Sequence, residues 1–305
     1  MTHRIEIDRA APGLERLVSR DAQLERLHEG MSFGEGPVWN RRDGSFWWVD
    51  IVGDTIYHRL RGGGAAEVFM RPSTHANGLT FDREGRLLVA GWASRSVWRI
   101  ERDGNVRTLA SHFEGKKINS PNDIVIQSNG AVWFTDSPGA LYNPGMEAGD
   151  LQQYLDFQGV FRIGPDGTPP GNLSAPIRDT VYPNGLAFTP DEKILYVNDS
   201  RLGEIRAYDL RADGTCGPMR LFHKLEGSEP GIADGMKVDR EGNVYCTGPA
   251  GVHVIGPDGK LLGRLLIPDH CTNMAFGDDD WRSLYITTYH ALYRVRVGVP
   301  GVEVW

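Results

Sequence analysis

The sequence contains no apolar run approaching the ~18 residues of a membrane-spanning helix. Its first residues, MTHRIEIDRAAPGLERLVSR, mix charges throughout and lack the apolar core of a signal peptide. The expectation is therefore a cytoplasmic protein, or an exported one if a leader was removed from a longer precursor. Cysteine is scarce: Cys216, Cys246 and Cys271 are odd in number and show no CxxC spacing. They read as buried free thiols, which sets aside a disulfide framework and a cysteine metal or redox site. Positive charge is also short, with 33 Lys and Arg against 40 Asp and Glu and a net charge of −7. That balance disfavours nucleic acid and anionic membranes as partners. A GxSxG elbow, a P-loop and a dinucleotide fingerprint are all missing, which weakens serine-esterase and nucleotide-enzyme readings.

What the chain has in excess is glycine, 38 of 305 residues, about 12% against a typical ~7%. The length alone permits two ordinary domains or one large unit. Internal repetition decides between them. A short apolar strand, a turn of Asp, Asn, Glu and Gly, and a second apolar strand recur six times. The clear copies are GLTFDREGRLLVAG from Gly78, DIVIQSNGAVWFTD from Asp123, GLAFTPDEKILYVND from Gly185 and GMKVDREGNVYCTG from Gly235. Weaker copies are GPVWNRRDGSFWWVD from Gly36 and MAFGDDDWRSLYITT from Met274. A third apolar strand follows each copy, and a fourth follows several. The spacing lies near the ~40–50 residues of blade-type repeats. Four strands per unit in six units predict an all-β fold, a six-bladed β-propeller forming a single domain over 23–305 after an extension at 1–22. The last copy ends almost as its third strand finishes. The segment Gln23 to His28 is expected to supply the missing outer strand, so that an N-terminal strand closes the ring. One interval is long because of an insertion, SPGALYNPGMEAGDLQQYLDFQ at 137–158, between the second and third strands of the third blade. A loop of that length in a compact fold is usually functional.

The residue before each first strand is Glu35, Asn77, Asn122, Asn184, Asp234 or Asn273. All six carry a side-chain oxygen. First strands line the channel of a propeller, so these positions should converge near its axis. Read in isolation, Asn77-Gly78, Asn184-Gly185 and Asp234-Gly235 are hairpin turns. Strands should then flank them on both sides, yet STHA, TVYP and PGIA precede them without alternation. Glycine after each oxygen residue suits crowded backbone around a centre instead. Amide and carboxylate oxygens without clustered Cys or His suit a hard divalent cation, with Ca2+ favoured and Zn2+, Mn2+, Fe2+ or Mg2+ left open. Glu35 and Asp234 would repel one another without a cation, which argues for a central metal site.

At this point the chain resembles the gluconolactonase branch of the senescence marker protein/regucalcin group, also called the gluconolactonase/luciferin-regenerating enzyme family. The resemblance runs from about Gly30 onward through FGEGPVW, STHANGLTFD, GKKINSPNDIVI, YPNGLAFTPDEKILYVNDS and GIADGMKVDREGNVY. It implies a propeller and a divalent metal held by Glu35, Asn122, Asn184 and Asp234. It also implies a metal-dependent carboxylic ester hydrolase that opens sugar lactones, such as glucono-1,5-lactone or a related aldonolactone, to the aldonic acid. Animal members carry an arginine two residues before the asparagine of SPND; this chain has Ser120 there. Asp234 is the expected base and Asn122 its catalytic companion. His75, Asn77, Asn119, Ser120, Asp136 and Asp199 are expected to bind substrate. Alternatives are a phosphotriesterase or broad lactonase on the same metal, and a non-catalytic calcium-binding propeller. The partner is a small sugar lactone, and the protein is expected to be a monomer or homodimer. Trp39, Trp48, Trp98, Trp133 and Tyr196 follow strand alternation and read as blade core. His253, His270 and His290 show no metal spacing.

Overall fold

A computed structural model describes residues 2–60, 62–165 and 173–304. Met1 and Trp305, the outer limits of the expected extension and propeller, lie outside the described residues. Six antiparallel sheets follow one another around an axis, and the blades are built in chain order. The first uses Gly34–Asn40, Ser45–Asp50, Thr55–Leu60 and Glu67–Met70. The second uses Ala76–Phe81, Leu87–Gly91, Ser96–Ile100 and Val106–Ala110. The third uses Ser120–Ile126, Val132–Ser137, Gln158–Ile163 and Leu173–Thr180. The fourth uses Pro183–Phe188, Ile194–Asp199, Glu204–Asp209 and Arg220–Lys224. The fifth uses Met236–Val238, Val244–Gly248, Gly251–Ile255 and Leu261–Leu266. In the sixth, Cys271–Gly277, Ser283–Thr288 and Ala291–Arg296 are joined by Gln23–Glu29, which pairs with Ala291–Arg296 from Ala291↔Glu29 to Val295↔Leu24.

Burial falls from the axis outward, and composition follows it. Ser45–Asp50 and Leu87–Gly91 are buried along their whole length, so SFWWVD and LLVAG carry apolar residues on both faces. The outer strand Glu67–Met70 is mostly exposed. The core is accordingly divided among the gaps between blades. One cluster joins Leu88, Ala90 and Val97 of the second blade to Ile124, Phe134 and Phe161 of the third. Trp39, Trp48, Trp98, Trp133 and Tyr196 are all buried in such clusters. Cys246 and Cys271 are buried free thiols, whereas Cys216 is only half-buried beside the bridge from Leu210.

Residues 2–22 do not form a separate tail. Thr2–Arg4 extends the sixth sheet beyond Gln23–Glu29, and Glu6–Asp8 adds a fifth strand to the fifth sheet. The buried Arg264 fastens this second strand, donating from Nε to Asp8 Oδ1 at 2.8 Å and from Nη2 to Glu229 Oε1 at 2.9 Å. Leu14, Leu17 and Val18 then sink into the apolar cluster shared by the first, fifth and sixth blades.

Candidate active site

The oxygen-bearing positions do not precede their strands, with one exception. Glu35, Asn77, Asn122, Asn184 and Asn273 lie inside the first strands, and only Asp234 stands before one. The reason is a bulge. Pairing with the second strand begins at Ala76↔Gly91, Pro121↔Asp136 and Pro183↔Asp199, then resumes at Leu79↔Val89, Ile124↔Phe134 and Leu186↔Val197. Each gap leaves one extra residue on the inner strand, and such a bulge bends the strand and re-aims side chains. The same irregularity follows Glu35. Glycine completes the device by letting neighbouring blades touch. A Cβ on Gly36, whose φ is +55°, would stand 2.1 Å from Asn77 O, and one on Gly185 would stand 2.3 Å from Asp234 O.

Glu35, Asn77, Asn122, Asn184 and Asp234 come together in the wall of one cavity of about 370 Å³. Asn273 does not join them. Its amide turns aside, donating from Nδ2 to Glu35 Oε2 at 2.9 Å, while its Oδ1 accepts from Met274 N at 2.8 Å. Asn77 Nδ2 donates to Asn122 Oδ1 at 3.1 Å, and Asn184 Nδ2 donates to Ser200 Oγ at 3.1 Å. These bonds orient the amides and leave Asn77 Oδ1 and Asn184 Oδ1 buried without a hydrogen-bond partner. Unpartnered buried oxygens are costly, and here they face a cavity that a cation or a donor can enter.

The electrostatics point the same way. Burial pushes Glu35 up to about 7, against lowering by the Gly36 N–H and the Asn273 amide. Burial, then the charges of Glu35 and Asp123, push Asp234 well above the carboxylate range. A cation between them would reverse both shifts. Beneath the ring, Lys237 Nζ lies 3.5 Å from Asp123 Oδ2, 3.4 Å from Asn273 Oδ1 and 3.0 Å from Met236 O. Asp123 and Lys237 escaped the reading of the sequence. Their signal was the break in the ring-glycine pattern at Asp123.

Of the six residues expected to bind substrate, Asn77 alone is in the wall. The others bond to main chain behind it. His75 Nδ1 meets Ile51 O at 2.6 Å. Ser120 Oγ accepts from Ala140 N at 2.7 Å, Asp136 Oδ2 from Asn119 N at 2.9 Å, and Asn119 Nδ2 donates to Phe157 O. Asp199 accepts from Val181 N, Tyr182 N, Arg201 N and Leu202 N, so it holds the turns that carry Tyr182 and Arg201 to the cavity. Asp50 does the same for Phe33, another wall residue. Burial also pushes Asp136 up to about 7.

The upper wall is apolar and aromatic, with Phe33, Trp92, Tyr182 and Tyr289. The insertion contributes Tyr142, Asn143 and Met146. Buried Arg95 anchors it, donating to the carbonyls of Asp150 and Gln152 at 2.9 Å each and to those of Ile118 and Asn119. Among the described residues no group of three or more His, Cys, Asp and Glu could hold a metal ion; the donor set here is two carboxylates and three amides.

Fold and cavity together define a class: six-bladed propellers with an oxygen-lined site on the axis. This chain belongs to the SMP-30/gluconolactonase/LRE-like family, whose sequence model matches residues 33–290. It is 29% identical to a gluconolactonase of Zymomonas mobilis, over 97% of this chain and 87% of that one. It is 30% identical to a pentonolactonase of Haloferax volcanii, over 84% and 81%. The solved structure of a gluconolactonase from Xanthomonas campestris superimposes with a TM-score of 0.87 at 32% identity, covering 97% of this chain and 95% of that one.

Proposed function

We propose that this protein is a metal-dependent hydrolase that opens a sugar lactone, glucono-1,5-lactone or a related aldonolactone, to the aldonic acid. The observation that carries this reading is the convergence of Glu35, Asn122, Asn184 and Asp234 from four blades on one cavity, in a family with lactonase relatives. The residues fit a hard divalent cation, calcium first. The unpartnered Asn184 Oδ1 supplies a neutral donor. Buried Glu35, Asp123 and Asp234 bring three negative charges and Lys237 one positive, leaving two for a divalent ion to balance.

A divalent ion held by Glu35, Asn122, Asn184 and Asp234 would supply polarisation of the ester carbonyl, and one as weakly acidifying as calcium would leave the proton to a carboxylate base. Asp234 is that base. It takes a proton from a water aligned on the carbonyl carbon as the new C–O bond forms. The ring C–O bond then breaks, and the proton passes to the departing ring oxygen, which leaves as a hydroxyl. Asn122, oriented by Asn77, holds the carbonyl side of the lactone, and Asn77 Oδ1 accepts from a substrate hydroxyl. Glu35 balances charge. His75, Asn119, Ser120, Asp136 and Asp199 serve substrate binding through the main chain they hold.

The test is acid release from glucono-1,5-lactone after chelation and after return of calcium, zinc, manganese or iron. Hydrolysis should fall to the spontaneous rate on chelation and recover with at least one ion. Spontaneous rates under every metal would overturn the reading, and metal binding without turnover would leave a calcium-binding propeller.

A further inference from the structure

The cavity wall holds three charged side chains. Glu35 and Asp234 belong to the oxygen ring; the third, Arg201, is the one cation. About half of the arginines of this acidic chain are paired with a carboxylate among the described residues. Arg16, Arg86, Arg99, Arg206, Arg264, Arg294 and Arg296 each lie within ion-pair distance of a carboxylate. Among the described residues Arg201 has no such partner, although it stands in a protein of net charge −7. Its side chain lies near the Tyr142 hydroxyl, whose ionisation its charge favours, and its main-chain N–H donates to Asp199 Oδ1 at 3.1 Å. The residue thus stands between the insertion and the buried carboxylate that staples its turn through the main chain. Ser200, the residue before it, bonds Asn184 of the ring, so the turn spans from the ring to the cavity rim.

A cavity of about 370 Å³ is near the lower end of the ~300–1,000 Å³ range of small-molecule sites and suits a monosaccharide-sized ligand. Neutral hydroxyls on such a ligand are served by Asn77, Asn143 and Ser200, which also line the wall. A planar, permanently charged fork is matched to an anionic group, which it can grip with two parallel hydrogen bonds. We propose that Arg201, beside Tyr142 in the cavity wall, receives an anionic substituent at the end of the lactone remote from the ester, so that the preferred substrates are sugar lactones bearing a second acid group. Carboxylate, phosphate and sulfonate share the chemistry required. This inference rests on the lactonase reading and refines it.

The test compares kcat/KM for glucono-1,5-lactone with that for lactones of the same skeleton ending in a carboxylate, a phosphate or a sulfonate, at low and high salt. The native protein should prefer at least one charged lactone by about tenfold or more, the scale of one charge-assisted pair. The preference should weaken with salt, and the best arm identifies the acid group. In Arg201→Gln the charged-to-neutral ratio should fall about tenfold, mainly through KM, with Arg201→Lys between the two. Calorimetry of the open-chain acids supplies a reading free of turnover: the doubly charged acid should bind the native protein more tightly than the singly charged one, and Arg201→Gln should erase the difference. Hydrolysis of the neutral lactone with no preference for any charged one overturns this inference and leaves the lactonase reading standing. An unchanged ratio in Arg201→Gln overturns it equally. Failure to hydrolyse any lactone removes both.

Discussion

The six inner strands open onto two cavities, and the larger one is not where the chemistry gathers. At one end the strands present Glu35, Asn77, Asn122, Asn184 and Asp234 to about 370 Å³. Farther along, they present Val38, Leu79, Ile124, Phe188 and Phe276 to about 490 Å³, with Val302 and Val304 of the last segment across them. Lys237 lines the second cavity, while its ammonium reaches Asp123 and Asn273 beneath the ring. Volume therefore says little by itself. What separates the two ends in the first four blades is the bulge, which aims Glu35, Asn77, Asn122 and Asn184 at the axis before regular pairing returns the strand to apolar alternation.

The sharpest way to break that contrast is one substitution at each end. Asp234→Ala should lower kcat/KM for the lactone on the order of 10³-fold, because it removes both a base and a metal oxygen; Glu35→Ala should abolish metal binding by calorimetry. Phe276→Ala should cost about 3–5 kcal/mol in urea unfolding while changing turnover no more than about threefold. Comparable loss of turnover from both ends would remove the distinction.

Gly36→Ala should be next in effect. Its Cβ would meet Asn77 O at 2.1 Å in a backbone with φ of +55°. The expected loss is about 1–3 kcal/mol of stability, with weaker calcium affinity because Asn77 is displaced. Differential scanning calorimetry and metal titration on the same samples would separate the two.

Acidity discriminates the polar end from the apolar one. Burial makes Glu35 hold a proton until about 7, whereas the unfolded chain releases it near its ordinary 4.5. Between these values the folded state binds more protons, so the metal-free protein should lose stability as pH rises from about 4.5 through 7. Calcium favours the ionised carboxylates and should raise Tm more at pH 8 than at pH 5. An equal calcium shift at both values would show that Glu35 does not titrate with the metal. The smallest effect is expected for Asp123→Asn, which removes one of the three negative charges near the axis. Calcium affinity should fall about tenfold while the spectrum of the folded protein stays the same.

Much of this was legible in the order of residues. Recurrence of apolar strand, polar turn and apolar strand revealed the blades, because a hairpin is a local structure whose turn chemistry and alternation lie within one repeat. Asn77, Asn184 and Asp234, each followed by glycine, stood out for the same reason. Asn273 did not behave as its position suggested. Its orientation follows from Glu35 on the neighbouring blade and Lys237, partners far away in the chain. Asp136 and Asp199 looked like cavity residues, since they end second strands near the axis; in space Asp199 is taken up by main-chain N–H groups and Asp136 Oδ2 accepts from Asn119 N. The insertion was conspicuous by length, yet nothing in its composition marked Tyr142, Asn143 or Met146 for the wall.

Residue order alone therefore determined the all-β repeat, the number of blades and the set of oxygen-bearing positions, because each depends on patterns a few residues long. Tertiary structure decided which of those oxygens face the cavity, which are consumed by loops, and that the cavity wall carries one cation, Arg201, with no carboxylate at ion-pair distance among the described residues. Those outcomes depend on neighbours brought together from different blades. A side chain spent on a neighbour's main chain and one left free for a ligand carry the same letter in the sequence.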